Sequence, residues 1–66
     1  MAKRQPLRAG DRVQIVHPPL SETHLKGRLA RVYYVDQHTG YIVVETDDGM
    51  DMLCDRSHAF KAVHKG

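Results

Sequence analysis

Two glycine turns, each leading into a short alternating strand, constrain the fold of this chain more than any other feature. Gly10-Asp11 opens a strand over residues 11–16, and Gly27 opens a second strand over residues 28–35. Alternation of apolar and polar residues with a period of two turns one strand face toward a core and the other toward water. The pattern therefore predicts an all-β domain.

The rest of the chain supplies three more strands. Gly40 and the Asp48-Gly49 pair are suited to hairpin turns. Two consecutive prolines, Pro18 and Pro19, exclude a central strand, so residues 17–24 are predicted to form a loop, with a one-turn helix at 21–24 as an open alternative. The remaining elements are predicted as strands at 41–46, 50–54 and 59–63, with a helical turn at 55–58.

Alternation also predicts the core. In the second strand, Ala30 and Val32 share the inner face and Tyr34 is a third candidate for it. Alternation requires that one of Tyr33 and Tyr34 points outward. In the fourth strand, the spacing of the apolar residues predicts that Cys54 packs inward with two methionines. The complete predicted core consists of Val13, Ile15, Ala30, Val32, Ile42, Val44, Met50, Met52, Phe60 and Val63, together with Cys54.

The turn and strand pattern resembles a known class of small β-barrels. Gly-Asp-x-Val at 10–13, Gly-x-x-Ala-x-Val at 27–32 and a strand ending in Asp-Gly are similar to SH3-like barrels, among them the KOW modules of ribosomal and transcription proteins. The resemblance covers about residues 10–63 and implies a single SH3-like barrel of five short antiparallel strands. For KOW modules it also implies contact with RNA or with proteins of the transcription or translation machinery.

A weaker resemblance leads to the plasmid-borne type II dihydrofolate reductases, which are also SH3-like barrels. Gly10-Asp11-Arg12-Val13, and Gly40-Tyr41 before a valine-rich strand, look like that family. The family's active pore uses a Gln-Ile-Tyr tripeptide in the fourth strand, where this chain has Asp51-Met52-Leu53. That departure argues against reductase activity.

Length and cysteine content bound the organisation of the chain. Its 66 residues fit one domain, predicted at 10–66, preceded by a flexible basic arm at 1–9. The one cysteine cannot form an internal disulfide, which favours a reducing compartment and predicts a cytoplasmic protein. No segment reaches the roughly 18 apolar residues of a membrane span, so no membrane association is expected.

No motif for catalysis, a cofactor or a metal stands out. The five histidines and Cys54 lack the close Cys-x2-Cys or His-x3-His pairs of zinc sites. The Cys54 thiolate is disfavoured by the neighbouring Asp55, and neither serine lies in a nucleophile-elbow pattern. The acidic residues Glu45, Asp47, Asp48, Asp51 and Asp55 lack the order of a calcium loop and are predicted to form a solvated edge. The chain is therefore not expected to be an enzyme.

The charges give the best functional prediction. Residues 1–31 hold seven basic and two acidic residues, whereas residues 32–66 hold three basic and six acidic ones. Lysine and arginine neutralise phosphates, and aromatic faces stack unpaired bases. We therefore predict a binding module for nucleic acid or a ribonucleoprotein surface, through Arg12, Lys26, Arg28, Arg31, Tyr33 and Tyr34. The alternative is a protein adaptor that docks through the loop at 17–26 or through a strand edge.

Overall fold

The computed structural model describes residues 7–63, which form one five-stranded antiparallel sheet. The strands lie side by side in the order β4-β3-β2-β1-β5. This arrangement confirms the all-β class and is compatible with an SH3-like fold. The strands are β1 (Arg12–Ile15), β2 (Leu29–Val35), β3 (Ile42–Thr46), β4 (Met52–Asp55) and β5 (Phe60–Ala62), and two 3₁₀ helices span Leu20–Leu25 and Ser57–Ala59.

Both glycine turns are hydrogen-bonded to a neighbouring strand. Gly10 and Gly27 have φ angles of +96° and +87°, a region that side chains with a Cβ rarely adopt. The amide of Gly10 donates to the carbonyl of Val32 at 2.8 Å, and that of Gly27 to the carbonyl of Ile15 at 2.7 Å. Gly10, just before β1, is thus bonded to β2, and Gly27, just before β2, is bonded to β1.

One face of the sheet carries the core, to which every strand and both 3₁₀ helices contribute. Two of its members, Leu25 and Ala59, come from the 3₁₀ helices and were not predicted. Leu7, from the predicted arm at 1–9, packs against this core; residues 1–6 and 64–66 lie outside the described part of the chain. The buried apolar residues are Val13, Ile15, Leu25, Ala30, Val32, Ile42, Val44, Leu53, Ala59 and Phe60.

The prediction that Met50, Met52 and Cys54 of the fourth strand point toward the core is wrong. Met50 and Met52 are 78% and 53% exposed and Cys54 is also exposed, whereas Leu53 is only 5% exposed. The reason is the register of the β3–β4 hairpin, in which Leu53 lies opposite the buried Val44. Opposite residues in a sheet share a face, so this register turns Leu53 inward and its two neighbours outward.

The prediction that Val63 belongs to the core is also wrong. Val13 pairs with Ala62, and the amide of Val63 donates to the carbonyl of Arg12. Val63 therefore continues the row of Arg12, whose side chain lies outside, and it is 40% exposed.

The register places neighbouring side chains of β4 in opposite environments, with Leu53 buried and Met52 exposed. Replacing Leu53 by Ala should lower the free energy of unfolding by about 2–5 kcal/mol, because it removes buried methyl groups and leaves a cavity. Replacing the adjacent Met52 by Ala should change it by less than about 1 kcal/mol, as for other exposed positions. Urea denaturation of both variants measures the difference, and equal losses would contradict the observed register.

Candidate functional site

The face of the sheet opposite the core presents polar, aromatic and apolar side chains in rows that run across the strands. One row joins Arg31 of β2, Glu45 of β3 and Met52 of β4. The next row toward the β2–β3 hairpin joins Tyr34 of β2, Val43 of β3 and Cys54 of β4. Val43 is half-buried and the others are exposed.

An irregularity in β2 exposes two consecutive tyrosines. Val32 lies opposite Val44, but Tyr34 lies opposite Val43, so Tyr33 is an extra residue in β2. Such a bulge breaks the strict alternation of side chains. Tyr33 is 67% exposed and Tyr34 is 56% exposed. Tyr34, a candidate for the inner face, therefore does not join Val32 in the core, and both tyrosines lie on the surface.

A third tyrosine and an arginine extend this surface. Tyr41 precedes Ile42, and Arg56 follows Asp55, which pairs with Ile42. The guanidinium carbon of Arg56 lies 5.0 Å from the centroid of the Tyr41 ring, within the range of a cation–π interaction. Neither residue belongs to the predicted binding site, and the β3–β4 register places them opposite each other. We call the surface formed by Arg31, Tyr33, Tyr34, Tyr41, Val43, Cys54 and Arg56 the aromatic face.

Two of the predicted phosphate-binding arginines are engaged by carboxylates. Nη2 of Arg12 lies 2.5 Å from Oδ2 of Asp47, and Arg28 forms an ion pair with Asp48. Both aspartates are exposed, as predicted for a solvated acidic edge, but each is paired with an arginine. Strands from the basic and acidic halves of the chain lie next to each other, so the asymmetry in sequence does not become a continuous basic surface.

Other cations are free of such partners. Within residues 7–63, no carboxylate oxygen lies within 4.0 Å of the charged nitrogens of Lys26, Arg31 or Arg56. Arg31 and Arg56 belong to the aromatic face. They are therefore the cations best placed to meet an anionic ligand there.

The six predicted site residues do not form one patch. Arg31, Tyr33 and Tyr34 follow one another on β2, and Arg12 lies opposite Arg31 on β1. Lys26 and Arg28 precede β2, and the strand from Leu29 to Tyr33 alone spans about 13 Å. The structure thus groups four of the predicted residues and leaves two at the other end of β2.

An open polar groove lies beside the aromatic face. It has a volume of about 360 Å³ and is lined by Arg12, Arg31, Glu45, Thr46 and Asp47. Arginines directly opposite each other on neighbouring strands repel, and the Asp47 carboxylate offsets the charge of Arg12. Glu45 lies opposite Arg31 but forms no ion pair within residues 7–63. Its carboxylate lies near Gly49 of the β3–β4 loop.

The loop between β3 and β4 is closed by a small polar network. The hydroxyl of Thr46, which is 2% exposed, donates to Oδ1 of Asp48 at 2.6 Å. The amide of Met50 donates to the same oxygen at 2.9 Å. These hydrogen bonds, with the nearby Arg28 guanidinium, hold the pKa of Asp48 below its usual value. The network fixes the loop on which Asp47 and Asp48 meet the arginines.

Residues 51–53, which stand where the reductase family has its Gln-Ile-Tyr tripeptide, differ in burial and in contacts. Asp51 is half-buried and its amide donates to the Thr46 hydroxyl at 3.1 Å. Met52 is exposed and Leu53 belongs to the core. Within residues 7–63, no three His, Cys, Asp or Glu side chains are grouped so that they could hold a metal ion.

Comparison with known proteins adds no relative. The chain matches no protein-family model, and no curated protein is significantly similar to it. None of the helices in the described part of the chain has the length and apolar character needed to cross a membrane.

The lowered pKa of Asp48 predicts a pH-dependent contribution to stability. A carboxyl group whose folded pKa is depressed stabilises the fold above its unfolded pKa of about 3.9 and loses this effect as the pH falls through the folded pKa. Asp48→Asn should therefore lower the urea midpoint at pH 7. The difference from the parent protein should shrink below about pH 4.

The matched control is Asp47→Asn, which removes an ion pair without touching the Thr46 network. Its effect on the urea midpoint at pH 7 should be smaller than that of Asp48→Asn. A difference between the parent protein and Asp48→Asn that stays constant from pH 7 to pH 3 would contradict this role of the Asp48 charge.

Proposed function

We propose that this protein is a non-catalytic module that binds single-stranded nucleic acid on its aromatic face. The observation that carries the proposal is the presence of three exposed tyrosines close to Arg31 and Arg56. Tyr33 and Tyr34 lie on β2 with Arg31, and the Tyr41 ring contacts Arg56. Unpaired bases stack on aromatic side chains at about 1–3 kcal/mol per base, while arginines track the phosphates. The aromatic face supplies both kinds of group.

The charge distribution favours a single strand over a duplex. The chain has a net charge of only +2, and Arg12 and Arg28 are engaged by aspartates. Duplex binding relies mainly on many phosphate contacts from a strongly basic surface. Binding by stacking needs fewer cations, which suits a face with three aromatic rings.

Three further considerations support the proposal. The turn pattern resembles that of KOW modules, for which contact with RNA is expected. The single cysteine is a free and exposed thiol, which fits a reducing compartment such as the cytoplasm. The absence of the Gln-Ile-Tyr tripeptide from residues 51–53 supports a binding role over a reductase role.

Fluorescence anisotropy with labelled 12-nucleotide RNA and DNA strands tests the proposal. Tyr34→Ala should weaken binding about 5- to 100-fold by removing one stacking platform. Arg31→Ala should also weaken binding, because it removes a cation from the aromatic face. Arg56→Ala should make the slope of log K against log salt less steep by about 0.7, the value for one phosphate contact on a single strand.

The matched control for Arg31→Ala is Lys26→Ala, which removes the same charge at the far end of β2. This variant should bind almost as tightly as the parent protein. Absence of binding to RNA and DNA strands at low salt would refute the proposal, as would a loss for Lys26→Ala as large as that for Arg31→Ala.

The second candidate is a protein adaptor, favoured by the loop after the two prolines. Leu20 in this loop is 92% exposed, so a protein partner that covers the loop would remove this apolar side chain from water. Leu20→Ser should then abolish stoichiometric capture of a protein from nuclease-treated lysate, and Tyr34→Ala should leave it intact. Capture that is equal for the parent and Leu20→Ser proteins would remove this candidate.

A further inference from the structure

A free guanidinium and a free carboxylate lie side by side next to the tyrosines. Arg31 and Glu45 occupy opposite positions on β2 and β3 and line the same polar groove. Neither forms an ion pair within residues 7–63. Cβ atoms of opposite residues are about 5 Å apart, so one small planar ligand can reach both side chains.

The carboxylate requires an explanation on a face that is proposed to bind phosphates. Glu45 would repel a phosphate placed beside Arg31, so it does not serve general backbone binding. A carboxylate is a pure acceptor of hydrogen bonds, and a guanidinium is a pure donor. The pair is suited to a ligand that presents donors and acceptors on adjacent edges.

Among the nucleobases, guanine satisfies this pair most completely. Its N1–H and N2 amino group are neighbouring donors that a carboxylate can accept together. Its O6 and N7 are neighbouring acceptors, and arginine binds them through two hydrogen bonds. Cytosine and adenine each offer a single exocyclic amino group to a carboxylate, so they would leave part of the bonding capacity of Glu45 unused.

The position of the groove agrees with a base stacked on the aromatic face. Tyr34 lies on β2 in the row next to that of Arg31, with Val43 beside it on β3. A base stacked over Tyr34 and Val43 can extend its polar edge into the groove. Arg12 is held by Asp47, so Arg31 is the groove arginine left free to bind the base.

We propose that this groove selects guanine within a single strand, with Glu45 accepting hydrogen bonds from the N1–H and N2 groups and Arg31 donating to O6 and N7. The proposal rests on the proposed function, because it names the base that the aromatic face prefers. It makes Glu45 a residue that determines base specificity, whereas the sequence predicted it only as part of a solvated acidic edge.

Anisotropy titrations with 12-nucleotide uridine strands that carry one central substitution test this selectivity. A central guanine should bind about 5- to 100-fold more tightly than a central adenine or uracil. Inosine, which lacks the N2 amino group, and 7-deazaguanine, which lacks N7, should each lose part of this preference. Glu45→Gln should remove most of the difference between guanine and inosine, because an amide replaces one of the two acceptor oxygens with a donor.

Two controls separate the proposals. Glu22→Gln removes the same charge from the first 3₁₀ helix and should leave the guanine preference unchanged. Competition with free guanosine monophosphate distinguishes a strand-borne base from a nucleotide site: the proposal expects weak competition, and full displacement at low micromolar concentration would overturn it. Tight binding of every strand regardless of the central base would overturn guanine selectivity and leave the proposed function standing, whereas no binding to any strand would overturn both.

Discussion

The pairing of β2 with β3 carries one extra residue, Tyr33, and the composition of the outer face depends on it. If β2 were regular, Tyr34 would lie on the core side with Val32, and only one tyrosine of β2, Tyr33, would face water. The bulge shifts the alternation by one residue, so that Tyr33 and Tyr34 are both exposed while Val35 packs against the core. The candidate surface is thus a consequence of backbone register.

The second constraint is electrostatic. The basic first half of the chain and the acidic second half are folded into neighbouring strands, and Arg12 and Arg28 meet Asp47 and Asp48 of the β3–β4 loop. Exposed ion pairs of this kind contribute little to stability, but they change which cations a ligand can reach. Arg31 lies within the same sheet and has no such partner among residues 7–63. This difference directs the proposed binding to the row beside the tyrosines.

The fold was largely predictable from the sequence, and the site was predictable only in part. The five strands and most of the core follow from alternation and glycine turns, as for Val13, Ile15, Val32 and Val44. The spacing of Met50 and Met52 predicted that these methionines face the core. The register of the β3–β4 hairpin instead turns Leu53 toward the core and the methionines toward water. The bulge at Tyr33 and the partners of Arg12 and Arg28 depend on pairing between distant segments, which local patterns do not contain.

The central claim is that binding takes place on the aromatic face and not along the basic residues at the other end of β2. Amide chemical shifts of the ¹⁵N-labelled protein, followed during titration with a 12-nucleotide single strand, test this claim most directly. The account predicts the largest changes at Arg31, Tyr33, Tyr34, Val43 and Cys54, with small changes at Lys26 and Arg28. Changes concentrated at Lys26 and Arg28, or no changes at saturating strand concentration, would contradict it.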